Sequence, residues 1–418
     1  MKCSKTVLAI TLPMLASSVL AAPTEIKVWR HQTGDAEMQA SAAMVERFNQ
    51  SQDKWQVVVE SIPEGAYNES VTAAAMADQL PCAMTIDQPT VPNFAWSGFI
   101  RPLDDLMDKM DYNTVLEGGK GIYKDRLYSL GQFDVSLVLF SRYSTLKANG
   151  IRIPTVDKPW NEKEFEQALS TLKASGDFAY PLDLNAAWGG EWPSYGWAPF
   201  LQSFGGDLID RESYVYADGV LNGDESVAFA EWFKNLVDNN YIDKKPANDK
   251  GFISGRVAMH YTGSWSAESY AEAFGDDLAI LPPPDLGNGP VIGGGSWQWS
   301  VTKACPHPQG AADFITFLMQ PEEIATFVDA TSLVPTKPEA AALSKQYQAG
   351  GQWNMFYVFS SLYAKTRPAT PGYPIISNSF DKAMRDIIDG KDPLDALDMA
   401  VDNIEQNIES NRGYGFEL

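Results

Sequence analysis

FISGRVAMHYTGSW, residues 252–265, gathers small residues, a glycine before an apolar turn, and the tripeptide Gly263-Ser264-Trp265 into one short run. A core strand does not need a tryptophan directly after a Gly-Ser turn. A surface that holds something flat does: glycine lets ligand and backbone approach closely, and an indole offers a broad apolar face. The tripeptide recurs at Gly295-Ser296-Trp297, inside the Gly-rich strand entry VIGGGSWQWSVT, residues 291–302. For any single tryptophan core packing is the plainer reading. Two in parallel contexts turn the balance toward a binding face.

Outward from that run, strand-like and helix-like patterns alternate, which points to an α/β architecture. EIKVWR (25–30), WQVVVESI (55–62) and AMTID (83–87) read as strands, each followed by a polar loop and a helical pattern. Such a repeat is the grammar of a parallel sheet with ligand loops at the strands' C-terminal ends. A second region opens at SLGQFDVSLVLFSR (129–142). Helices are expected at about 161–174, 225–239, 308–328 with a break near Pro321, 375–389 and 393–409. No repeat and no low-complexity linker occurs, so two lobes would be joined by several chain crossings rather than one tether.

The first residues read as an export signal: Lys2 and Lys5, an apolar stretch from Val7 to Leu20, and small residues that place a cut before Ala22. No later run of about 18 apolar residues follows, so the mature chain is expected to be periplasmic. Its roughly 400 residues suffice for two cores. A net charge of −22, spread along the chain, repels nucleic acid and anionic lipid. Cys82 and Cys305 remain after the cut and can form one bridge in an oxidising compartment. Without matching histidines they make a poor zinc site, and neither a metal nor a cofactor is expected.

Catalytic patterns are thin. The histidines His31, His260 and His307 are scattered, and no Gly-x-Ser-x-Gly elbow supports a Ser/His/Asp hydrolase. GQFDVS and GGEW set carboxylates beside aromatics, as glycosidases do, but acids are abundant here and such pairs arise by chance. Gly293-Gly294-Gly295 lacks the Lys-Ser/Thr or Rossmann context of a phosphate cradle. The 12 tryptophans, many in Gly- and Pro-rich segments, fit pyranose stacking, with carboxylates, amides and Arg fixing the hydroxyls.

These residues resemble a family. FISGRVAMHYTGSW is similar to a Phe-x-x-Gly-x-x-Ala-Met run followed by Gly-x-Trp in the carbohydrate-binding proteins of ABC importers, the maltose/trehalose-type extracellular solute-binding proteins. LQSFGGDLID, LNGDESVAFAEWFKNLVDNNYI, QGAADFITFLMQPEE and RPATPGYPIISNSFDKAMRDIIDGKDPLDALDMA resemble its other blocks, in the same order along nearly the whole chain. One departure is Phe140-Ser141, where the family commonly has Tyr-Asn; only a packing detail is expected to change. The resemblance implies a two-lobed fold, each lobe a mostly parallel sheet flanked by helices. The lobes would comprise residues 22–132 with 296–335 and residues 133–295 with 336–418, crossing near Gln132, Gly295 and Pro335. It implies a Cys82–Cys305 disulfide at the sheet end away from the cleft, between antiparallel strands. It implies a non-enzymatic monomer that closes on a neutral sugar and presents it to an inner-membrane permease. Carried over by position, the ligand set is Gln32, Asp35, Asp87, Gln88, Gln132, Asp134, Trp265, Trp297 and Arg367, with Tyr67, Trp192 and Trp353 as loop aromatics. Binders of glycerol phosphate or a polyamine share the fold, and a secreted glycoside hydrolase is a further alternative.

Overall fold

In EIKVWR the alternation of side chains builds β1 (Thr24–Gln32), which buries Ile26, Val28 and Arg30 on one face. The computed structural model describes residues 22–107, 111–246 and 248–417; the expected leader, 1–21, lies outside them. With strands numbered in chain order, β1 pairs with β2 (Trp55–Pro63) and β3 (Ala83–Asp87). β12 (Trp297–Val301), β5 (Arg126–Leu130) and β4 (Lys120–Tyr123) complete a six-stranded sheet of order β2-β1-β3-β12-β5-β4.

A second sheet has the order β10-β7-β9-β8, from β7 (Leu137–Arg142), β8 (Tyr180–Asp183), β9 (Val257–Gly263) and β10 (Leu278–Leu281). The opening stretch therefore supplies β9, buried at every residue, and delivers Trp265 just past its end. Between the sheets lie two short pairs: β6 (Phe133–Asp134) with β13 (Val334–Pro335), and β11 (Ile292–Gly294) with β14 (Ala364–Thr366). β6 follows β5 of the first sheet and precedes β7 of the second, and β11 follows β10 of the second and precedes β12 of the first.

The α/β, two-lobed expectation holds, but the strand directions correct its finer part. The first sheet is parallel only at β2-β1-β3 and antiparallel from β3 through β12 and β5 to β4. In the second sheet only β8-β9 is parallel. In the first sheet β5 doubles back on β4 through the turn at Lys124-Asp125, and β12 enters from β11 to run antiparallel to both of its neighbours; neither makes the βαβ connection that joins parallel neighbours.

The helices follow their local signals. Asn161 caps Glu162–Ser175 in a capping box with Glu164, and Gly176 closes the helix at φ 72°. Pro321 takes the first position of Pro321–Asp329, so the expected long helix is two, the other being Pro308–Leu318. Cys82 and Cys305 are joined as a disulfide beside the antiparallel β3-β12 pair, at the end opposite Asp87 and Trp297. Phe140 and Ser141 are fully buried; Phe140 packs on Tyr270 and Ser141 Oγ donates to the Ala258 carbonyl, so the departure there is one of packing. No helix among the described residues is long and apolar enough to cross a membrane.

Candidate functional site

The C-terminal ends of β1 and β3 and the start of β12 meet at one edge of the first sheet. There His31 stacks on Trp297 with ring centres 3.7 Å apart and planes 15° from parallel. Tyr67 sets its edge against both rings. Its hydroxyl donates to the Thr85 carbonyl at 2.6 Å, and His31 Nδ1 meets Thr85 Oγ1 at 3.1 Å. Burial, helped by Arg30, holds the His31 pKa well below the usual imidazole value. Trp297 therefore has a neutral backing ring on one face, while the indole as a whole remains half-buried.

Trp297 lies opposite Asp87 in the β12-β3 register, and Asp87 leads to the second element. Arg367, 5% exposed, follows β14. Its Nη1 donates to Asp87 Oδ2 at 2.8 Å and to Glu191 Oε1 at 2.6 Å; its Nη2 donates to Asp87 Oδ1 at 2.9 Å and to the Gly295 carbonyl at 2.8 Å. The guanidinium lies 4.8 Å from the Tyr195 ring centre. Tyr373 Oη and Ser377 Oγ donate to Glu191. Burial opposes the charge on Arg367, but Asp87 and Glu191 hold its pKa well above the ordinary value. Burial pushes Glu191 up, Arg367 resists this, and Asp87 adds to it.

Asp134, in the β6 crossing, accepts the N–H of Val135 at 2.8 Å and, at 3.4 Å, that of Gly295 from another crossing. Burial pushes its pKa up to about 6 against those two N–H groups and Arg367. Three carboxylates thus converge on one guanidinium at the floor between the lobes. Gln88 Oε1, Tyr195 Oη and Arg367 Nε are buried there without a hydrogen-bond partner, an arrangement that leaves polar valence free for a ligand or water.

On the second lobe's wall Trp265 is 39% exposed and lies 6.4 Å from Trp188, at 30° between planes. Trp188 Nε1 donates to Asp249, and Trp188 meets Trp192 edge-on at 4.9 Å. Trp192 packs on Tyr195, so a run of aromatic contacts reaches from the Arg367 floor to the exposed Trp265.

Of the residues named from sequence, Asp87, Gln88, Asp134, Trp297 and Arg367 come together at this floor, and Trp265 stands on the wall. Gln32 and Asp35 are exposed where β1 gives way to the next helix. Gln132 instead lines a cavity of about 310 Å³ under helix Asp35–Ser51, with Arg30, Ser61, Trp299 and Phe314. The three loop aromatics are all buried. Tyr67 is on helix Glu64–Met76 and 1% exposed. Trp192 is 5% exposed with its Nε1 donating to the Leu184 carbonyl. Trp353 is 3% exposed and stacked on Phe356. Sequence reasoning missed His31, Glu191, Tyr195, Tyr373 and Ser377; GGEW held the one visible signal, an acid beside an aromatic.

The family described as "Bacterial extracellular solute-binding protein" matches residues 43–354. An uncharacterized lipoprotein in the oleD 5' region of Streptomyces antibioticus is 25% identical over 304 residues, 68% of this chain and 64% of that protein. The sn-glycerol-3-phosphate-binding periplasmic protein UgpB of Yersinia enterocolitica is 23% identical over 370 residues, 82% of this chain and 81% of that protein. The GacH receptor of Streptomyces glaucescens, solved unliganded and with acarbose, superposes with a TM-score of 0.79 at 21% identity, covering 93% of this chain and 99% of that one.

Proposed function

We propose that this chain, which belongs to the bacterial extracellular solute-binding protein family, captures a neutral mono- or oligosaccharide between its lobes in the periplasm and hands it to an inner-membrane ABC permease. In this reading the chain acts as a monomer and performs no reaction. Sugar enters the open cleft, meets both lobes, and raises the population of the closed form through contacts that only that form completes. Trp297 and Trp265 offer stacking faces from opposite lobes. Gln88, Tyr195 and the carboxylates at the floor accept or donate to hydroxyls. Gln32 and Asp35 would act from the rim.

The observation that carries the choice of ligand is the pairing of Arg367. Its charge is already met by Asp87 and Glu191, with Asp134 close by. A phosphate placed at this floor would face three carboxylates and a guanidinium that is already engaged, whereas a neutral polyol needs only acceptors and donors. Similarity to a glycerol-phosphate binder favours the second reading; similarity in fold to an acarbose receptor accords with the first.

A thermal-shift panel separates them. Neutral mono- and oligosaccharides at millimolar concentration are expected to raise the melting temperature by mass action. A shift with sn-glycerol 3-phosphate and none with any neutral sugar would overturn the proposal.

A further inference from the structure

The lobes also touch at contacts that do not involve Arg367. Asn93 Nδ2 donates to the Pro371 carbonyl at 2.8 Å. Farther along the same helix, Trp96 meets Tyr414 edge to face, ring centres 5.0 Å apart. Beyond that, Lys124, exposed on the turn between β4 and β5, donates to the Gly415 carbonyl at 3.1 Å and lies 5.8 Å from the Phe416 ring centre. The first member of each pair belongs to the first lobe. Its partner belongs to the second, and in the last two pairs to the tail that follows helix Pro393–Ser410.

That tail has an unusual backbone. Arg412, Gly413, Tyr414 and Gly415 take φ of 53°, 69°, 53° and 82° in succession. Two of the four are not glycine, and such residues stay left-handed only where their surroundings over-determine them. The second lobe does so here. Tyr414 Oη donates to Asn407 Oδ1 at 2.6 Å, the Tyr414 ring lies so close to Gly372 that a Cβ there would sit 3.1 Å from it, and Phe416 packs on Tyr214. The tail is thus fixed on its own lobe in a shape that presents Tyr414, the Gly415 carbonyl and Phe416 to the other lobe.

We infer that residues 411–416 form a strap that holds the lobes together independently of ligand, through Trp96 and Lys124. Contacts made between the lobes by segments other than the crossings separate when the lobes swing apart, so they stabilise the closed arrangement over the open one. The strap thereby sets how much closure remains for a ligand to drive.

The test uses the full chain without ligand, carrying one dye on each lobe, and reads the inter-lobe distance distribution by single-molecule energy transfer. Lys124→Met, Trp96→Ala and Tyr414→Leu are each expected to raise the open-to-closed ratio about two- to tenfold. Trp96→Ala with Tyr414→Leu should shift it no further than the larger single change, since both remove one contact. Distributions unchanged in Lys124→Met and Trp96→Ala would overturn the strap. Lys124 is exposed, so its replacement reports even if Tyr414→Leu fails to fold. Because no sugar enters the experiment, its outcome is separate from that of the saccharide panel.

Discussion

Gly-Ser-Trp occurs twice and folds in two ways. Gly263-Ser264-Trp265 ends a strand: Gly263 is extended at φ −86° and ψ 167°, and Ser264 begins a tight turn that throws the indole outward. Gly295-Ser296-Trp297 begins a strand: Gly295 is left-handed at φ 87°, and Trp297 is drawn into the sheet against His31. One indole has a ring stacked 3.7 Å beneath it; the other has a tilted neighbour 6.4 Å away. Identical tripeptides thus give a braced platform on one lobe and an adaptable one on the other. The difference arises from which side of the turn the strand lies on.

The largest expected effect comes from cutting the link between the platforms. Arg367→Leu leaves Asp87 and Glu191 facing each other without a counter-charge. The loss of a buried ion-pair partner is expected to destabilise the fold by about 3–5 kcal/mol, measured by urea unfolding. Arg367→Leu combined with Asp87→Leu should cost less than the sum of the two single changes. Additive costs would mean that the two halves are energetically separate and that the contrast between them has no common floor.

Two acids have a pKa pushed up to about 6, one in the short strand β6 and one in β8 of the second sheet, and the pair tests whether the two settings respond alike. Burial raises Asp134 in the crossing. Burial again, aided by Asp243 and Asp249, raises Asp183 in the second lobe. A folded-state pKa above the unfolded value of about 3.9 means that the native state binds more protons between those pH values. The stabilisation is therefore full below about pH 4 and is lost as pH rises toward 6, by roughly 2–3 kcal/mol for each group. Asp134→Asn and Asp183→Asn should each remove part of that slope in unfolding measured from pH 4 to 7. A slope left intact by both replacements would exclude these two acids as its source.

The fold was legible where period and punctuation agree. EIKVWR alternates, and Pro321 divides the expected helix. Of the candidate site, the two Gly-Ser-Trp turns stand out from their own residues, whereas Asp87 and Arg367 are named only through the family resemblance. The site was opaque where a side chain's surroundings come from distant chain. Glu191 looks like one acid among many until Arg367, 176 residues away, is set against it. His31 is an isolated histidine until β12 lays Trp297 over it.

The smallest effects should fall on the platforms themselves, and there the contrast predicts opposite signatures. Trp297→Ala strips a ring from His31 and Tyr67 and should cost roughly 2–3 kcal/mol of stability, less than the 3–5 typical of a fully buried tryptophan. Trp265→Ala, on the exposed wall, should cost about 1 kcal/mol or less. The glycines sharpen this. A Cβ on Gly263 would come within 2.1 Å of the Trp265 ring itself, so Gly263→Ala should displace that indole and weaken ligand binding while the melting temperature barely moves. A Cβ on Gly295 would meet Gln88 Oε1 at 2.7 Å on a backbone already left-handed, so Gly295→Ala should lower the melting temperature first. Equal stability losses at the two glycines would show that Trp265 is as firmly braced as Trp297, and the distinction between a fixed and an adaptable face would be lost.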